Sequence, residues 1–335
     1  MRSPFAHLAA WEGWTPIGRL VRLALLSLTV PLAFLGTATL LSDPARGTLT
    51  RWLDSRIANS TLHPGAPVTA TLQDSAGLSS IFENRYFLLD PVREGWAPVP
   101  RIFLAGLPSD LADIAADEAR KTMFMQAALP LVLLVNESIL AERHRVQWLW
   151  DKARDGGSLT QSETRWLDTT VRRYRAKAGD FEDLLRRVDI IPPSLALAQG
   201  AVESGWGTSR AAREDNALFG QMTWIKGAIR ADGTQEEPTY IVQPFDDLLE
   251  CVQAYARNLN SHPAYAEFRE RRAAMRALGQ APDGYRLAIT LDRYSERGWP
   301  YLAEVRLTIR ANRLTQLDRA WLDGRSSALL LVPSS

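Results

Sequence analysis

The stretch Ile190-Ile-Pro-Pro-Ser-Leu-Ala-Leu-Ala-Gln-Gly-Ala-Val-Glu-Ser-Gly-Trp-Gly-Thr-Ser209 decides the fold, because it holds an apolar helix that carries a single charge. Pro192 and Pro193 suit a helix start, and Ser194–Val202 is almost entirely apolar. Such a helix is usually buried, and an ionised carboxylate is costly to bury without a partner. Burial therefore predicts a raised pKa for Glu203, which a general acid working near neutral pH needs.

Two glycines after this helix, Gly205 and Gly207, predict that it ends next to Glu203. The carboxylate would then stand at the lip of a groove, within reach of a substrate. The same pattern fits a core glutamate paired with an arginine from another helix, since ion pairs also perturb pKa values. The spacing alone leaves both interpretations open.

Longer motifs resemble a known family. Ala198-Gln-Gly-Ala-Val-Glu-Ser-Gly-Trp-Gly207 followed by Asn216-Ala-Leu-Phe-Gly220 resembles the signature of bacterial peptidoglycan N-acetylglucosaminidases of the flagellar and autolysin type, glycoside hydrolase family 73. Upstream, Arg120-Lys-Thr-Met-Phe-Met-Gln-Ala-Ala-Leu-Pro-Leu-Val-Leu-Leu-Val-Asn-Glu-Ser-Ile-Leu-Ala-Glu-Arg143 resembles the Bax-like, membrane-associated subgroup. The matches extend from Val99 to Leu317. This resemblance implies that peptidoglycan glycan strands are the substrate and that Glu203 is the catalytic acid.

The composition argues against several other classes of function. The 335 residues include 39 basic and 38 acidic side chains, which gives a net charge of +1. The chain as a whole therefore lacks the strong positive charge that is typical of nucleic-acid-binding proteins. Four histidines and one cysteine form no metal cluster at ligand spacing, so neither a metal nor a cofactor is expected. Cys251 lies in an apolar helical pattern, which predicts a buried side chain and no Cys-His mechanism.

The N-terminal segment predicts the compartment. Leu23–Leu41 is uncharged, apolar and long enough to cross a bilayer as a single transmembrane helix. Three arginines precede it, so the positive-inside rule predicts a cytoplasmic N-terminus at 1–22 and a periplasmic body, held at the cell inner membrane. A cleaved signal peptide is the alternative, because Gly36-Thr-Ala38 is a passable cleavage site, but the length of the apolar run favours an anchor.

Four further regions are predicted after the anchor. Residues 42–98 are rich in small and turn-forming residues and indicate a juxtamembrane linker with little core. A helical accessory region follows at 99–179, then the glucosaminidase catalytic domain at 180–318 and a tail at 319–335. The resemblance implies a lysozyme-like plan for the catalytic domain.

The predicted secondary structure is mainly α with a small β hairpin, an α+β fold. The hairpin joins 218–229 to 238–242 through an Asp-Gly turn. A short strand is expected at 99–104. Helices are predicted at 49–57, 117–154 with a break or kink at Pro130, 160–177, 180–188, 193–204, 209–214, 245–260, 263–277, 283–293 and 300–314.

Cleavage of a glycosidic bond needs a second group besides the acid, to handle the oxocarbenium-like centre or its water. The resemblance implies a carboxylate on the hairpin, where Asp232, Glu236 and Glu237 are the acids. Glu237 is the preferred candidate because it adjoins the second predicted strand. The alternative is assistance by the substrate's own N-acetyl group, in which case Glu203 is the only essential acid. Retention and inversion of configuration both stay open.

Aromatic and amide side chains complete the predicted site. Trp206 and Trp224 flank the helix end and the hairpin, so they are candidates to line a sugar groove or, equally, to pack hairpin against helix. The resemblance assigns an active-site tyrosine to the run Tyr294-Ser-Glu-Arg-Gly-Trp-Pro-Tyr301, with Tyr301 preferred as catalytic and Tyr294 as substrate-binding. Asn216 and Phe219, from the Asn-x-x-Phe-Gly motif, are further substrate-binding candidates.

The leading hypothesis is an endo-β-N-acetylglucosaminidase that cleaves β-1,4 bonds of peptidoglycan with Glu203 as general acid. A lytic transglycosylase that uses the same glutamate is a close alternative. A non-catalytic peptidoglycan-binding scaffold is the alternative from a different class of function.

Overall fold

Helices make up most of the chain that the computed structural model describes, which is residues 68–225, 239–324 and 327–334. The α-helices are α1 (Ser75–Asn84), α2 (Leu89–Arg93), α3 (Asp117–Arg154), α4 (Gln161–Tyr174), α5 (Phe181–Arg187), α6 (Pro193–Ser204), α7 (Arg210–Glu214), α8 (Leu248–Ser261), α9 (Ala266–Ala277), α10 (Gly284–Leu287) and α11 (Trp299–Ala311). The strands are β1 (Val68–Leu72), β2 (Ile102–Leu104), β3 (Met222–Ile225), β4 (Thr239–Val242) and β5 (Leu329–Pro333). The mainly α prediction is confirmed, and the lysozyme-like plan stays a prediction.

The 38-residue helix α3 is the longest element of the described residues. Its residues 123–136 are all buried, and the helix contacts both α6 and α8. Its predicted span is confirmed, and it continues without a break through Pro130. By length and composition this helix is apolar enough to cross a membrane, yet 83% of its most apolar window is buried inside the protein. The predicted anchor Leu23–Leu41 and the predicted helix 49–57 lie outside the described residues.

The helices predicted from residue 180 onward are present, and their ends agree within three residues except in the predicted helix 283–293. There α10 is followed by a 3₁₀ turn, Ala288–Thr290. The hydroxyl of Thr290 donates a hydrogen bond to the carbonyl of Leu287 at 2.7 Å, which competes with continuation of the helix. The helical segment is therefore shorter than its sequence pattern indicates.

A three-stranded parallel sheet joins the two ends of the described chain. β5 is the central strand, with Val68 of β1 and Ile102 of β2 both paired with Leu329. Parallel neighbours so far apart in the chain leave no local turn signal. The sequence therefore predicts the strand near β2 but not the sheet.

The expectation of a linker with little core over 42–98 is wrong for residues 68–98. This part forms β1, α1 and α2, and Phe82 and Phe87 are 2% and 1% exposed. The predicted tail 319–335 likewise contains β5, in which Leu330 and Leu331 are buried. Both segments pack into the same apolar core as α3 and α6, so their short apolar stretches are used for tertiary packing. The boundary predicted between 179 and 180 stays a prediction.

Long-range hydrogen bonds hold the start of α6 in place. Asn136 of α3 exchanges two hydrogen bonds with the backbone of Ile191, at 2.8 and 3.0 Å. At the first turn of α6, the backbone N–H and the hydroxyl of Ser194 each donate to the carboxylate of Asp318 at 2.8 Å. The carboxylate thus satisfies a free N–H at the positive end of the helix. Asn136 and Asp318 therefore both fix the start of α6, the helix that carries Glu203.

The predicted hairpin is confirmed as the antiparallel pair β3 and β4, with Trp224 opposite Tyr240. The hairpin lies between α7 and α8 in the chain. The connecting residues 226–238, which contain all three candidate hairpin acids, lie outside the described residues.

Candidate active site

Glu203 lies in the last turn of α6, with its side chain half-buried. The helix ends at Gly205, which has a left-handed φ of 58°, as the glycine pattern predicts. Burial raises the pKa of Glu203, against the opposing effects of a hydrogen bond from Tyr301 and the positive charge of Arg297. Within the described residues, no lysine or arginine forms an ion pair with this carboxylate. The alternative of a core glutamate paired with an arginine is therefore not what this part of the structure contains.

The backbone of Gly220 rests directly against the Glu203 carboxylate. Gly220 has a φ of +58°, and a Cβ atom added there would lie 2.6 Å from Oε2 of Glu203. This is closer than real Cβ atoms approach an oxygen, so only glycine leaves the carboxylate in its observed position. The turn that carries the Asn-x-x-Phe-Gly motif thus forms one wall beside the acid.

A buried chain of hydrogen bonds fixes the direction of the Tyr301 hydroxyl. The Tyr255 hydroxyl donates to Oε1 of Gln199 at 2.8 Å, and Nε2 of Gln199 donates to the Tyr301 oxygen at 2.8 Å. Because this oxygen accepts from Gln199, its own hydrogen is available to the Glu203 carboxylate, to which it is hydrogen bonded. Tyr301 is 1% exposed and its pKa is raised by burial, so it stays a donor. The arrangement stabilises the ionised form of Glu203.

Stacked aromatic rings support this chain. Phe219 stacks on Tyr255 with ring centroids 3.9 Å apart, and Tyr294 stacks on Tyr301 at 5.9 Å. The Tyr294 hydroxyl donates to the backbone carbonyl of Phe219 at 2.9 Å. Tyr294 and Phe219 therefore link the Gly220 turn to the tyrosines beside Glu203. The Phe219 ring is 2% exposed, so its contacts are with the protein.

Asn216 and Trp206 make contacts with other parts of the protein. Asn216 has a φ of 53° and donates its amide to the backbone carbonyl of Phe245 at 3.2 Å, which holds the turn. Trp206 packs edge-on against Phe124, with Lys121 over its ring at 5.5 Å, so these contacts are with α3. The side chain of Trp224 and the whole of Glu237 lie outside what the structure describes.

The sequence does not predict two members of the hydrogen-bonded chain, Gln199 and Tyr255, as site residues. Gln199 lies four residues before Glu203, a spacing that places both on one face of a helix, so a local signal for it exists. Tyr255 belongs to α8, more than fifty residues away, and reads from sequence as an ordinary core aromatic. It reaches Gln199 because α6 and α8 both pack against α3.

The structure also bears on metal and thiol chemistry. Among the described residues, no group of three or more His, Cys, Asp or Glu side chains is arranged to hold a metal ion. Cys251 is buried, and burial raises the pKa of its thiol to about 12. A thiol in this state is a poor nucleophile at neutral pH, in agreement with its predicted packing role.

Comparison with known proteins identifies the class to which this fold and site belong. The family model "Glucosaminidase: Mannosyl-glycoprotein endo-beta-N-acetylglucosaminidase" matches residues 178–299, a range that includes α6, the hairpin and α8. A curated relative is 36% identical over 199 residues, which cover 57% of this chain and 69% of the relative. The chain belongs to the glucosaminidase family, and the resemblance carried by its motifs is confirmed.

The relative in question is "Protein bax" of Escherichia coli strain K12. Among solved structures, the catalytic domain of the autolysin Auto from Listeria monocytogenes matches with 17% identity and a TM-score of 0.28. That match covers 51% of this chain and 96% of the autolysin domain. The motif at residues 120–143 predicts the Bax-like subgroup, and Protein bax gives that subgroup its name.

Proposed function

We propose that this protein is a peptidoglycan hydrolase, an endo-β-N-acetylglucosaminidase that cleaves β-1,4 glycosidic bonds with Glu203 as general acid. The observation that carries the proposal is the half-buried Glu203 at the end of α6, with a raised pKa and a tyrosine donor, in a chain of the glucosaminidase family. We assign the catalytic domain to residues 180–318, with peptidoglycan glycan strands as its partner.

The proposed chemistry begins with a protonated Glu203. Burial keeps the proton on the carboxyl group at a higher pH than usual, and the group donates it to the leaving glycosidic oxygen. The carboxylate left behind accepts the hydrogen bond of Tyr301, which Gln199 holds in the donating direction. Tyr301 thus stabilises the form of the acid that appears as the bond breaks. Trp206, Trp224 and Tyr294 remain proposed substrate-binding residues. For Asn216 and Phe219, the contacts among the described residues are with the protein, and we propose that they hold the turn beside the acid.

The second group is proposed to be Glu237 of the hairpin, with the substrate's N-acetyl group as the alternative. Glu237→Gln is expected to lower the rate of cleavage by about tenfold or more, because the hairpin would lose the carboxylate that assists the anomeric centre. Asp232→Asn and Glu236→Gln are the matched controls and are expected to have mild effects. Steady-state release of glycan fragments measures all three variants. Unchanged rates in all three contradict the two-carboxylate scheme and favour assistance by the substrate.

The product of the reaction tests the proposed function. The full chain, purified in detergent, is expected to release fragments from sacculi that end in a new reducing N-acetylglucosamine, identified by mass before and after borohydride reduction. Fragments that end in an anhydro-muramic sugar indicate the lytic transglycosylase instead. Binding to sacculi without any release of fragments indicates the scaffold.

We further propose that Leu23–Leu41 anchors the chain in the inner membrane as a single-pass helix with the catalytic domain in the periplasm. The uncharged run and the arginines ahead of it support this topology. A C-terminal alkaline phosphatase fusion is expected to be active and to sediment with the membrane. A soluble periplasmic fusion points to a cleaved signal peptide, and an inactive one reverses the topology.

A further inference from the structure

A groove of about 610 Å³ opens beside the candidate acid. Gly220, which rests against Glu203, forms part of its wall, together with Tyr265 and Tyr294. The side-chain oxygen of Gln221 on the same wall is buried and has no hydrogen-bond partner in the described part of the chain. This acceptor is available to an N–H group of a ligand. The groove has the volume of a typical ligand site, and it shares Gly220 and Tyr294 with the surroundings of the candidate acid.

Three arginines from separate elements line this groove. Arg175 follows α4, Arg257 lies on α8, and Arg293 lies between α10 and α11. All three are exposed, and over residues 68–225, 239–324 and 327–334 none of their guanidinium groups has a hydrogen bond or an ion pair. The acidic residue of the wall, Glu250, accepts a hydrogen bond from the backbone N–H of Asp246 at 2.9 Å. Among the described residues, the groove is therefore lined by three cationic side chains and one carboxylate, which leaves a net positive charge.

Other arginines in the described chain form ion pairs with acidic residues. Arg187 pairs with Asp183 at 2.9 Å, and Arg276 pairs with Asp189 at 2.8 Å. In the groove, by contrast, three cationic side chains line one space and have no acidic partner among the described residues. An anionic ligand in that space would gain the attraction of these cations.

We propose that this groove binds the carboxylates of the peptide stems that peptidoglycan strands carry, an inference that rests on the proposed function. Sugar hydroxyl and acetamido groups are uncharged and do not account for three unpaired cations. A guanidinium binds a carboxylate through two parallel hydrogen bonds. Placement of the arginines on three elements around a groove of this size fits an extended peptide with several carboxylates. The substrate class is then peptide-bearing glycan and not bare polysaccharide.

Binding without cleavage tests the inference. The probes are soluble peptidoglycan strands with intact peptide stems and the same strands after their carboxyl groups have been converted to amides. The inactive Glu203→Gln protein is expected to bind the amidated strands on the order of tenfold more weakly, as measured by titration calorimetry. Adding Arg175→Gln, Arg257→Gln and Arg293→Gln together is expected to abolish this preference. Replacement of the same three arginines by lysine is expected to keep part of it.

The matched control is Arg310→Gln, which removes an exposed arginine of α11 that does not line the groove. It is expected to keep the full preference for unmodified strands, and rising salt is expected to weaken the preference. Equal binding of the two strands by the Glu203→Gln protein overturns the inference, as does an unchanged preference in the triple variant. Cleavage is scored separately with the wild-type protein. Loss of cleavage on both strands contradicts the proposed function, while the binding comparison still decides the inference.

Discussion

Glu203→Gln is expected to slow the release of glycan fragments from sacculi by about two to four orders of magnitude, because an amide has no proton to give the leaving oxygen. The carboxamide has nearly the shape of the carboxyl group, and Glu203 forms no ion pair within the described residues. The fold is therefore expected to tolerate the change. Timed digestion of sacculi with chromatography of the soluble fragments measures the loss.

Glu214→Gln is the matched control, since Glu214 is an exposed glutamate of α7 that pairs with Arg210 at 2.6 Å. It is expected to digest sacculi at the wild-type rate, and both variants are expected to melt cooperatively near the wild-type temperature. Burial raises the pKa of Glu203, so the wild-type rate is expected to fall as the pH rises through that pKa and the donor loses its proton. A folded Glu203→Gln protein with near wild-type activity removes Glu203 from the mechanism.

Local patterns in the sequence predict the helix that carries the acid. Two prolines, an apolar run and two glycines define α6 from Pro193 to Ser204, and the single charge within it identifies Glu203. Each of these signals acts within a few residues, so no knowledge of the tertiary fold is needed. The hairpin is predictable for the same reason, because its strands adjoin a turn sequence.

Features that depend on contacts between distant parts of the chain cannot be predicted from local sequence patterns. The parallel pairing of β1 and β2 with β5 joins segments more than two hundred residues apart. The sequence predicts a strand near β2, but it indicates a linker at β1 and a tail at β5. Tyr255 likewise reaches Gln199 only because α6 and α8 both pack against α3. In both cases the apolar or aromatic character is evident in the sequence, but the partner that gives it a role is not.

For the Asn-x-x-Phe-Gly motif, the sequence and the structure give different information. A resemblance identifies the motif, but only the structure gives each member a physical reason. Asn216 holds the turn, Phe219 stacks on Tyr255, and Gly220 leaves room for the Glu203 carboxylate. These roles concern the position of the acid and of its tyrosine donor. Gly220, whose backbone sets the position of the acid, is therefore the member of the motif expected to affect the rate of reaction more than the stability of the fold.

Gly220→Ala provides a sharp test of that separation. The added methyl group would lie 2.6 Å from Oε2 of Glu203, so the carboxylate has to move, and a displacement of about 1 Å can cost about a hundredfold in rate. The Glu203 side chain ends in a movable carboxylate, so relief of the clash costs the fold little. The backbone at φ +58° adds a strain of about 1 to 2 kcal/mol for a residue with a Cβ. We therefore expect about a hundredfold loss of activity with a modest fall in stability.

Gly279→Ala is the control that carries the backbone strain without the clash. Gly279 has a φ of +68°, and an added Cβ there meets nothing within 4 Å. Chemical denaturation is expected to give similar losses of unfolding free energy for Gly220→Ala and Gly279→Ala, while only Gly220→Ala loses activity. Equal activities in the two variants contradict the role assigned to Gly220, because they leave backbone strain as the only effect of either change. A large loss of activity in Gly220→Ala alone, at matched stability, ties the rate to the position of the Glu203 carboxylate.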